Sequence, residues 1–171
     1  MIGVDWGTTG FRAYRIGPDG AIRDRKSGPL GILSVQDNRF AESLRAEIGP
    51  WLALGETRVL LSGMIGSRQG WCEAPYLPLP ADAAALAAGA IPVPFDWASA
   101  RIVPGLSGTD AAGTAEVMRG EETQILGADL PTDAVACLPG THSKWARVAG
   151  GRIAAFSTHM TGEMFAALRG N

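Results

Sequence analysis

The sequence predicts an α/β protein, and three of its features lead to that fold class. Short stretches of alternating apolar and polar residues, joined by glycine-rich turns, stand near both ends of the chain and are typical of antiparallel hairpins. Apolar residues at helical spacing occupy 40–48, and a short apolar run typical of a buried strand occupies 58–61. Strands and helices that share one chain in this way belong to the α/β class.

The first hairpin contains the segment VDWGTTGFRAY, residues 4–14. We predict strands at Ile2–Trp6 and Phe11–Ile16 with a turn at 7–10, because glycines at both ends of the turn tolerate positive φ. Such a loop directs backbone N–H groups and two hydroxyls toward one point, which suits a phosphate. Asp5 would then suit Mg²⁺, which proteins hold with one or two carboxylates and phosphate oxygens. The alternative is a plain Gly/Thr turn in which Asp5 accepts hydrogen bonds from backbone N–H groups.

Between the hairpins the pattern predicts further strands and helices. A third antiparallel strand is expected at 21–27. Asp37 or Asn38 is expected to cap a helix whose apolar positions run from Phe40 to Ile48. The other expected elements are a buried strand at 58–61, an Ala-rich helix near 81–88, and a helix at 114–127 that is interrupted at Gly120.

The end of the chain repeats the order of elements seen at its start. The segment ACLPGTHSKWARVAGGRIAAFSTH again predicts a strand, a Gly-Thr loop, a strand, a Gly-rich turn and a strand. Aligning Gly7 with Gly140 pairs Thr8 with Thr141, although few residues are identical. Two unrelated hairpins are the alternative to a duplication. If the duplication is real, two Gly-Thr loops could hold a polyphosphate from opposite sides. The first carries a carboxylate for the metal, and the second carries Lys144 instead.

The segment SGMIGSRQGW, residues 62–71, follows the predicted buried strand, where the ligand loops of open α/β sheets lie. Arg68 and Gln69 would offer a planar cationic fork and an amide, which suit the carboxylate and hydroxyls of a small sugar acid. Ser67 and Trp71 could line the same pocket. The alternative is a Gly-rich connector with a solvated arginine and a packing tryptophan.

The segment RGEETQ places two adjacent carboxylates, Glu121 and Glu122, at or near a helix start. Successive helical residues point about 100° apart, so one of them can face a cleft while the other faces water. Exposed Glu-Glu pairs are usually solvated surface, and what favours a functional role is the position just before the second Gly-Thr hairpin.

Composition excludes several function classes. A net charge of −2 over 171 residues gives no reason to expect nucleic acid or an anionic membrane as a partner. The longest apolar stretch, Ala81–Val93, is interrupted by Asp82, Gly89 and Pro92, so it does not predict a membrane span. Two distant cysteines without a CxxC motif, and no leader pattern, favour a reduced cytoplasmic protein. Neither a GxxxxGK[ST] nor a GxGxxG motif is present.

Four segments together resemble the 2-dehydro-3-deoxygalactonokinase family, sugar-acid kinases of the superfamily that includes hexokinase, glycerol kinase and actin. They are VDWGTTGFRAY, LLSGMIGSRQGWCEAPY, VMRGEETQILGA and LPGTHSKWARV, in that order along nearly the whole chain. The resemblance implies ribonuclease-H-like (actin-like ATPase) domains with ATP and Mg²⁺ in their cleft. It implies one such domain at 1–128, with the acceptor-binding loop, and the first strands of a second, truncated domain at 129–171.

The resemblance also assigns roles to individual residues. In polyol and sugar kinases of the superfamily a Gly-Asp-Gln at a helix start supplies the catalytic base, which makes Glu121 the first candidate here and Glu122 the second. The first hairpin resembles the phosphate-1 loop and the second resembles phosphate-2. These loops assign the metal to Asp5 and the phosphates to Gly7, Thr8, Thr9, Gly140, Thr141 and Lys144.

The reaction implied by the resemblance transfers the γ-phosphoryl of ATP to the 6-hydroxyl of 2-dehydro-3-deoxy-D-galactonate in galactonate degradation. A phosphatase of the same superfamily and a non-catalytic sugar-acid-binding module are the alternatives. The family's chains run to nearly twice this length, so we expect negligible kinase activity from this chain alone. We further expect the tail to expose Ile153, Phe156 and Phe165 to water, to another copy of the chain or to a completing chain.

Overall fold

The computed structural model describes residues 1–110 and 112–170, which form a mixed α/β structure with three sheets and four α-helices. The helices are α1 (Phe40–Ala53), α2 (Ala83–Gly89), α3 (Glu121–Leu126) and α4 (Gly162–Arg169), and short 3₁₀ turns lie at Ile32–Ser34 and Met64–Gly66. The strands are β1 (Ile2–Trp6), β2 (Phe11–Ile16), β3 (Ile22–Gly28), β4 (Arg58–Ser62), β5 (Tyr76–Pro78), β6 (Ile91–Pro92), β7 (Ser99–Ile102), β8 (Gly105–Thr109), β9 (Ala115–Met118), β10 (Ala134–Leu138), β11 (His142–Ala149) and β12 (Arg152–Met160).

The chain packs into two compact units. The first contains Met1–Pro75 and Gly89–Pro104, and the second contains Tyr76–Ala88 and the described residues from Gly105 onward. The domain boundary expected after residue 128 divides the chain differently, and it stays a prediction. None of the described helices combines the length and the apolar character that crossing a membrane requires.

The first unit is built on a six-stranded sheet in the order β3-β2-β1-β4-β7-β6. The first three strands form the predicted antiparallel meander, in which Trp6 faces Phe11 across the first turn. Strands β4 and β7 then run parallel to β1, so the carboxyl ends of β1 and β4 lie at the same edge of the sheet. Ligand loops of open α/β sheets leave from such an edge.

Helix α1 packs its apolar face into the hydrophobic core of the first unit. Its buried residues are Phe40, Leu44, Ile48 and Trp51, whose spacing of three to four places them on one face. The predicted cap is wrong, because Arg39 is the N-cap and makes no side-chain cap bond. Asp37 and Asn38 both adopt positive φ in the preceding turn, a conformation that Asp and Asn tolerate better than most residues.

The second unit contains two three-stranded sheets, β5-β8-β9 and β10-β11-β12. Strand β12 contacts β8, β9 and α3, and Ala81 forms an isolated antiparallel bridge with Ile153. The expectation that the tail lacks cover is therefore wrong for Ile153 and Phe156, which are 0% and 4% exposed. It is confirmed for Phe165, which is 64% exposed on α4. The cover comes from residues that the expected boundary had assigned to the other domain.

The segment 114–127 is not one interrupted helix. Its first part is strand β9, which pairs antiparallel with β8, and only Glu121–Leu126 is helical. Gly120 has φ +109°, which glycine adopts readily and which separates strand from helix. Pairing with β8 decides the conformation of Val117 and Met118, because four residues carry too little periodicity to choose between strand and helix.

Candidate active site

The first Gly-Thr loop forms the tight turn that its glycines predict. The Gly7 N–H donates to the Gly10 carbonyl at 2.9 Å, which closes the turn between β1 and β2. Thr8 and Thr9 are exposed at its tip. The loop therefore presents two hydroxyls and its own backbone to a ligand, as a phosphate site requires.

Asp5 lies at the end of β1 and is partly exposed. In the hairpin it faces Arg12, and Arg12 Nη1 donates to Asp5 Oδ2 at 2.9 Å. This ion pair uses one carboxylate oxygen. Sequence reasoning missed Arg12, although the register of a four-residue turn between β1 and β2 already pairs it with Asp5.

The predicted acceptor loop begins next to Asp5. Asp5 pairs with Ser62 in the parallel ladder of β1 and β4, and Gly63 follows at once with φ +95°. A Cβ built on Gly63 would lie 2.9 Å from the Trp6 carbonyl oxygen and 3.2 Å from Asp5 Oδ1. Glycine at this position thus keeps the space beside Asp5 Oδ1 open, and two segments far apart in sequence meet at one carboxylate.

The arrangement around Asp5 fits a magnesium ion that has one protein carboxylate and phosphate oxygens as ligands. Among residues 1–110 and 112–170, no group of three or more His, Cys, Asp or Glu is placed to hold a metal ion. A metal at Asp5 would therefore depend on phosphate oxygens and water for its other ligands, which is the usual way that proteins hold Mg²⁺. Asp5 Oδ1, with the open space beside Gly63, is the oxygen that suits this role.

The rest of the acceptor loop separates into exposed and packed residues. Arg68 and Gln69 are exposed, and Ser67 Oγ donates to the Met64 carbonyl at 2.8 Å. Trp71 is half-buried, with its ring stacked on Phe40 at 6.5 Å. Trp71 thus contributes to packing in the first unit, while Arg68 and Gln69 are the side chains that a ligand can reach.

In the second unit the Gly-Thr loop is exposed at Gly140 and Thr141, but Lys144 is buried. Lys144 Nζ donates to the Val117 carbonyl and to Thr158 Oγ1, both at 2.6 Å. These two acceptors hold the ammonium inside the unit. The geometry therefore favours a packing role for Lys144 over contact with a phosphate.

The two adjacent glutamates occupy different environments at the start of α3. Glu121 is partly exposed, and its Oε2 accepts the Arg119 N–H at 3.0 Å. Glu122 is fully buried, and its two oxygens accept the Gly120 N–H at 2.8 and 2.9 Å. Burial raises the pKa of Glu122 to about 7. Of the two candidates for the catalytic base, Glu121 is the one with an exposed surface.

Comparison with known proteins gives the family. The profile of 2-keto-3-deoxy-galactonokinase matches residues 5–171. The "Probable 2-dehydro-3-deoxygalactonokinase DgoK1" of Rhizobium meliloti (strain 1021) is 42% identical over 165 residues, and the 2-dehydro-3-deoxygalactonokinase of Escherichia coli (strain K12) is 35% identical over 165. In both cases the match covers 95% of this chain and 54% of the relative, so the chain spans about half the length of the curated relatives it matches.

The solved structure described as "Crystal structure of a putative 2-dehydro-3-deoxygalactonokinase protein from Sinorhizobium meliloti" superposes with a TM-score of 0.87 at 40% identity, covering 98% of this chain and 56% of that one. Its fold thus agrees with that of the described chain over nearly the chain's whole length. The similarity of sequence and the similarity of structure lead to the same conclusion: the chain belongs to the 2-keto-3-deoxy-galactonokinase family of carbohydrate kinases.

Proposed function

We propose that the chain is part of a sugar-acid kinase that transfers the γ-phosphoryl of ATP to the 6-hydroxyl of 2-dehydro-3-deoxy-D-galactonate. The observation that carries the proposal is the meeting of two loops at Asp5. The Gly-Thr turn and the segment with Arg68 leave neighbouring parallel strands at the same edge, with Gly63 against Asp5 Oδ1. A kinase needs its phosphate site and its acceptor site next to each other.

The phosphates of ATP are assigned to the two Gly-Thr loops. In the first unit Gly7, Thr8 and Thr9 would bind them with backbone N–H groups and hydroxyls, and in the second unit Gly140 and Thr141 would do the same. Asp5 would hold Mg²⁺, whose chemistry when bound is to neutralise charge on the phosphates. Lys144 is left out of the proposed site because its ammonium has two acceptors inside the second unit.

The acceptor is assigned to Arg68 and Gln69, with the Gly-rich backbone from Gly63 as their support. An exposed guanidinium can bind the substrate carboxylate with two parallel hydrogen bonds, and the amide can bind a hydroxyl. Glu121 is proposed to accept or orient the proton of the reacting hydroxyl. Glu122 would keep the start of α3 in place through the Gly120 N–H.

The proposal extends to the fold of the first unit, to the compartment and to a protein partner. The sheet order β3-β2-β1-β4-β7, with an antiparallel meander followed by parallel strands, supports a ribonuclease-H-like fold for the first unit. An enzyme that consumes ATP and a catabolic sugar acid would work in the cytoplasm, with small molecules as its ligands rather than nucleic acid or membrane. A second copy or a completing chain could cover the exposed apolar residues of α4.

Calorimetric titration of the chain with the sugar acid and with Mg·ATP in separate experiments tests the proposal. Arg68→Ala should weaken binding of the acid by about 1.5–3 kcal/mol, the cost of a lost hydrogen bond to a charged group. Arg58→Ala is the matched control, because Arg58 is also exposed but lies at the opposite end of β4. An uncharged sugar analogue should lose much less affinity. Equal losses for the acid and the analogue would contradict the assigned role.

A further inference from the structure

The two Gly-Thr loops are held by the same pattern of backbone hydrogen bonds. In the first unit, the Ile32 N–H donates to the Gly7 carbonyl at 3.0 Å, and the Leu33 N–H donates to the Thr8 carbonyl at 3.3 Å. Both donors lie in the 3₁₀ turn at Ile32–Ser34. Two consecutive N–H groups of a helical turn thus fix two consecutive carbonyls of the loop.

The second unit repeats this pattern at the equivalent residues. The Gly162 N–H donates to the Gly140 carbonyl at 3.2 Å, and the Glu163 N–H donates to the Thr141 carbonyl at 3.1 Å. The donors are the first two residues of α4. Gly7 and Thr8 are the residues that align with Gly140 and Thr141, so the shared pattern also favours a duplication over two unrelated hairpins.

A glycine beside each pair of donors lies against the loop, so close that a larger residue would not fit. A Cβ built on Gly31 would lie within 3.0 Å of the Thr8 carbonyl oxygen and of Thr9 Cα. A Cβ built on Gly162 would lie within 3.0 Å of the Gly140 carbonyl oxygen. Gly31 has φ −75°, which any residue can adopt, so the contact and not the backbone conformation requires glycine there.

Side chains add to the hold on the second loop. Ser143 Oγ and Thr161 Oγ1 form a hydrogen bond, and His142 Nε2 lies 3.1 Å from Glu163 Oε2. The residues of the first unit that correspond to Ser143 and Thr161 are Gly10 and Gly31, which carry no side chains. The backbone bonds are therefore common to both loops. Each loop also has a close glycine, which precedes the first donor in the first unit (Gly31) and is itself the first donor in the second (Gly162).

We infer that Gly31 and Gly162 are positioning residues for the two phosphate loops, an inference that rests on the proposed function. In a trans peptide the carbonyl and the following N–H point in opposite directions. Fixing the carbonyls of Gly7 and Thr8 therefore turns the next two N–H groups, those of Thr8 and Thr9, away from the 3₁₀ turn. The same argument applies to Thr141 and the residue after it. N–H groups fixed in advance bind a phosphate without paying the cost of ordering the loop.

The test follows backbone amides of the 171-residue chain by NMR during a titration with Mg·ATP. Leu33→Pro and Glu163→Pro each remove one donor, and proline is tolerated in the first turn of a helix. Leu33→Ala and Glu163→Ala are the matched controls that keep the N–H. Gly31→Ala and Gly162→Ala test the contact itself, with Gly28→Ala as the control, because a Cβ on Gly28 would meet nothing within 4 Å.

Leu33→Pro, Gly31→Ala, Glu163→Pro and Gly162→Ala should each raise the Kd for Mg·ATP about tenfold. The Kd is measured from the shifts of the Thr8, Thr9 and Thr141 amides, which should agree because the proposed function assigns one nucleotide to both loops. The Leu33→Ala control should respond like the parent chain, whereas Glu163→Ala, which loses the contact with His142, should give a Kd between those of the parent and Glu163→Pro. Hydrogen exchange of the β1 and β11 amides shows whether each variant is folded. If a glycine variant does not fold, Leu33→Pro and Glu163→Pro decide whether the loops are positioned in this way.

The same experiment separates a failure of the positioning role from a failure of the proposed nucleotide site. If folded Leu33→Pro and Glu163→Pro variants keep the parent Kd within about twofold, the positioning role is overturned. If Mg·ATP shifts no amide of either loop in the parent chain, the proposed nucleotide role of the loops is contradicted, and the inference falls with it.

Discussion

The buried carboxyl of Glu122 makes the stability of the chain depend on pH. Burial raises its pKa from 4.5 to about 7, and the nearby charge of Glu121 adds to the rise, while hydrogen bonds from backbone N–H groups oppose it. Between these two pH values the folded state binds more protons than the unfolded state. The contribution of Glu122 to the free energy of unfolding therefore falls as pH rises from about 4.5 to about 7, and this contribution is highest below that window.

The size of this effect follows from the two pKa values. One pKa unit is worth about 1.4 kcal/mol, so Glu122 should cost the folded state about 3 kcal/mol at pH 8 compared with pH 4.5. Glu122→Gln is neutral at every pH, and its carbonyl oxygen can still accept the Gly120 N–H. The free energy of unfolding of the variant should therefore lie within about 1 kcal/mol of the parent's at pH 5, and it should exceed the parent's by about 3 kcal/mol at pH 8.

Urea unfolding at four pH values between 5 and 8, followed by circular dichroism, measures this difference. Glu73→Gln is the matched control, because Glu73 is exposed and should leave the pH dependence of the parent unchanged. A constant difference between Glu122→Gln and the parent across this range would refute the argument that Glu122 is buried with a raised pKa.

Three further predictions follow from packing and from coverage of the family. Phe156→Ala should lower the free energy of unfolding by about 3–5 kcal/mol in urea titration, because Phe156 is buried in the second unit, whereas Phe165→Ala on exposed α4 should change it by less than about 0.5 kcal/mol. Lys144→Met should cost about 1–3 kcal/mol by the same assay and leave the calorimetric affinity for Mg·ATP unchanged; a lost affinity in the folded variant would restore Lys144 to the phosphate site. The 171-residue chain alone should show negligible ATP-dependent phosphorylation of the sugar acid in a coupled assay, since it spans 54% of its curated relatives, and robust turnover would contradict this.

The sequence predicts the parts of the fold that local signals determine. Both hairpins form where the glycines of the Gly-Thr loops and turns indicate, with strands at Ile2–Trp6 and Phe11–Ile16. The strand at Arg58–Ser62 also agrees with the pattern. In these segments turn chemistry and strand alternation are enough, because few distant contacts decide the local conformation.

The parts of the structure that the sequence did not predict are those that distant contacts decide. Val117 and Met118 form a strand because β8 lies beside them, and Ile153 is buried because β8, β9 and Ala81 lie against β12. The orientation of Lys144 depends on acceptors at Val117 and Thr158, neither of which is near it in sequence. The role of Gly31 also could not be predicted from the sequence, because no motif connects Gly31 with the loop at 7–10 that it contacts.

Asp5 and the loops around it are proposed to belong to a sugar-acid kinase, and an assay of phosphoryl transfer examines that proposal without an intermediate step. A chimera in which this chain replaces the matching 54% of the Rhizobium meliloti relative provides the rest of the length that the relatives have. We predict that the chimera phosphorylates 2-dehydro-3-deoxy-D-galactonate with ATP, and that Asp5→Ala lowers its turnover at least about a hundredfold without changing its melting temperature by more than a few degrees. Near-parent turnover by the folded Asp5→Ala chimera would contradict the account.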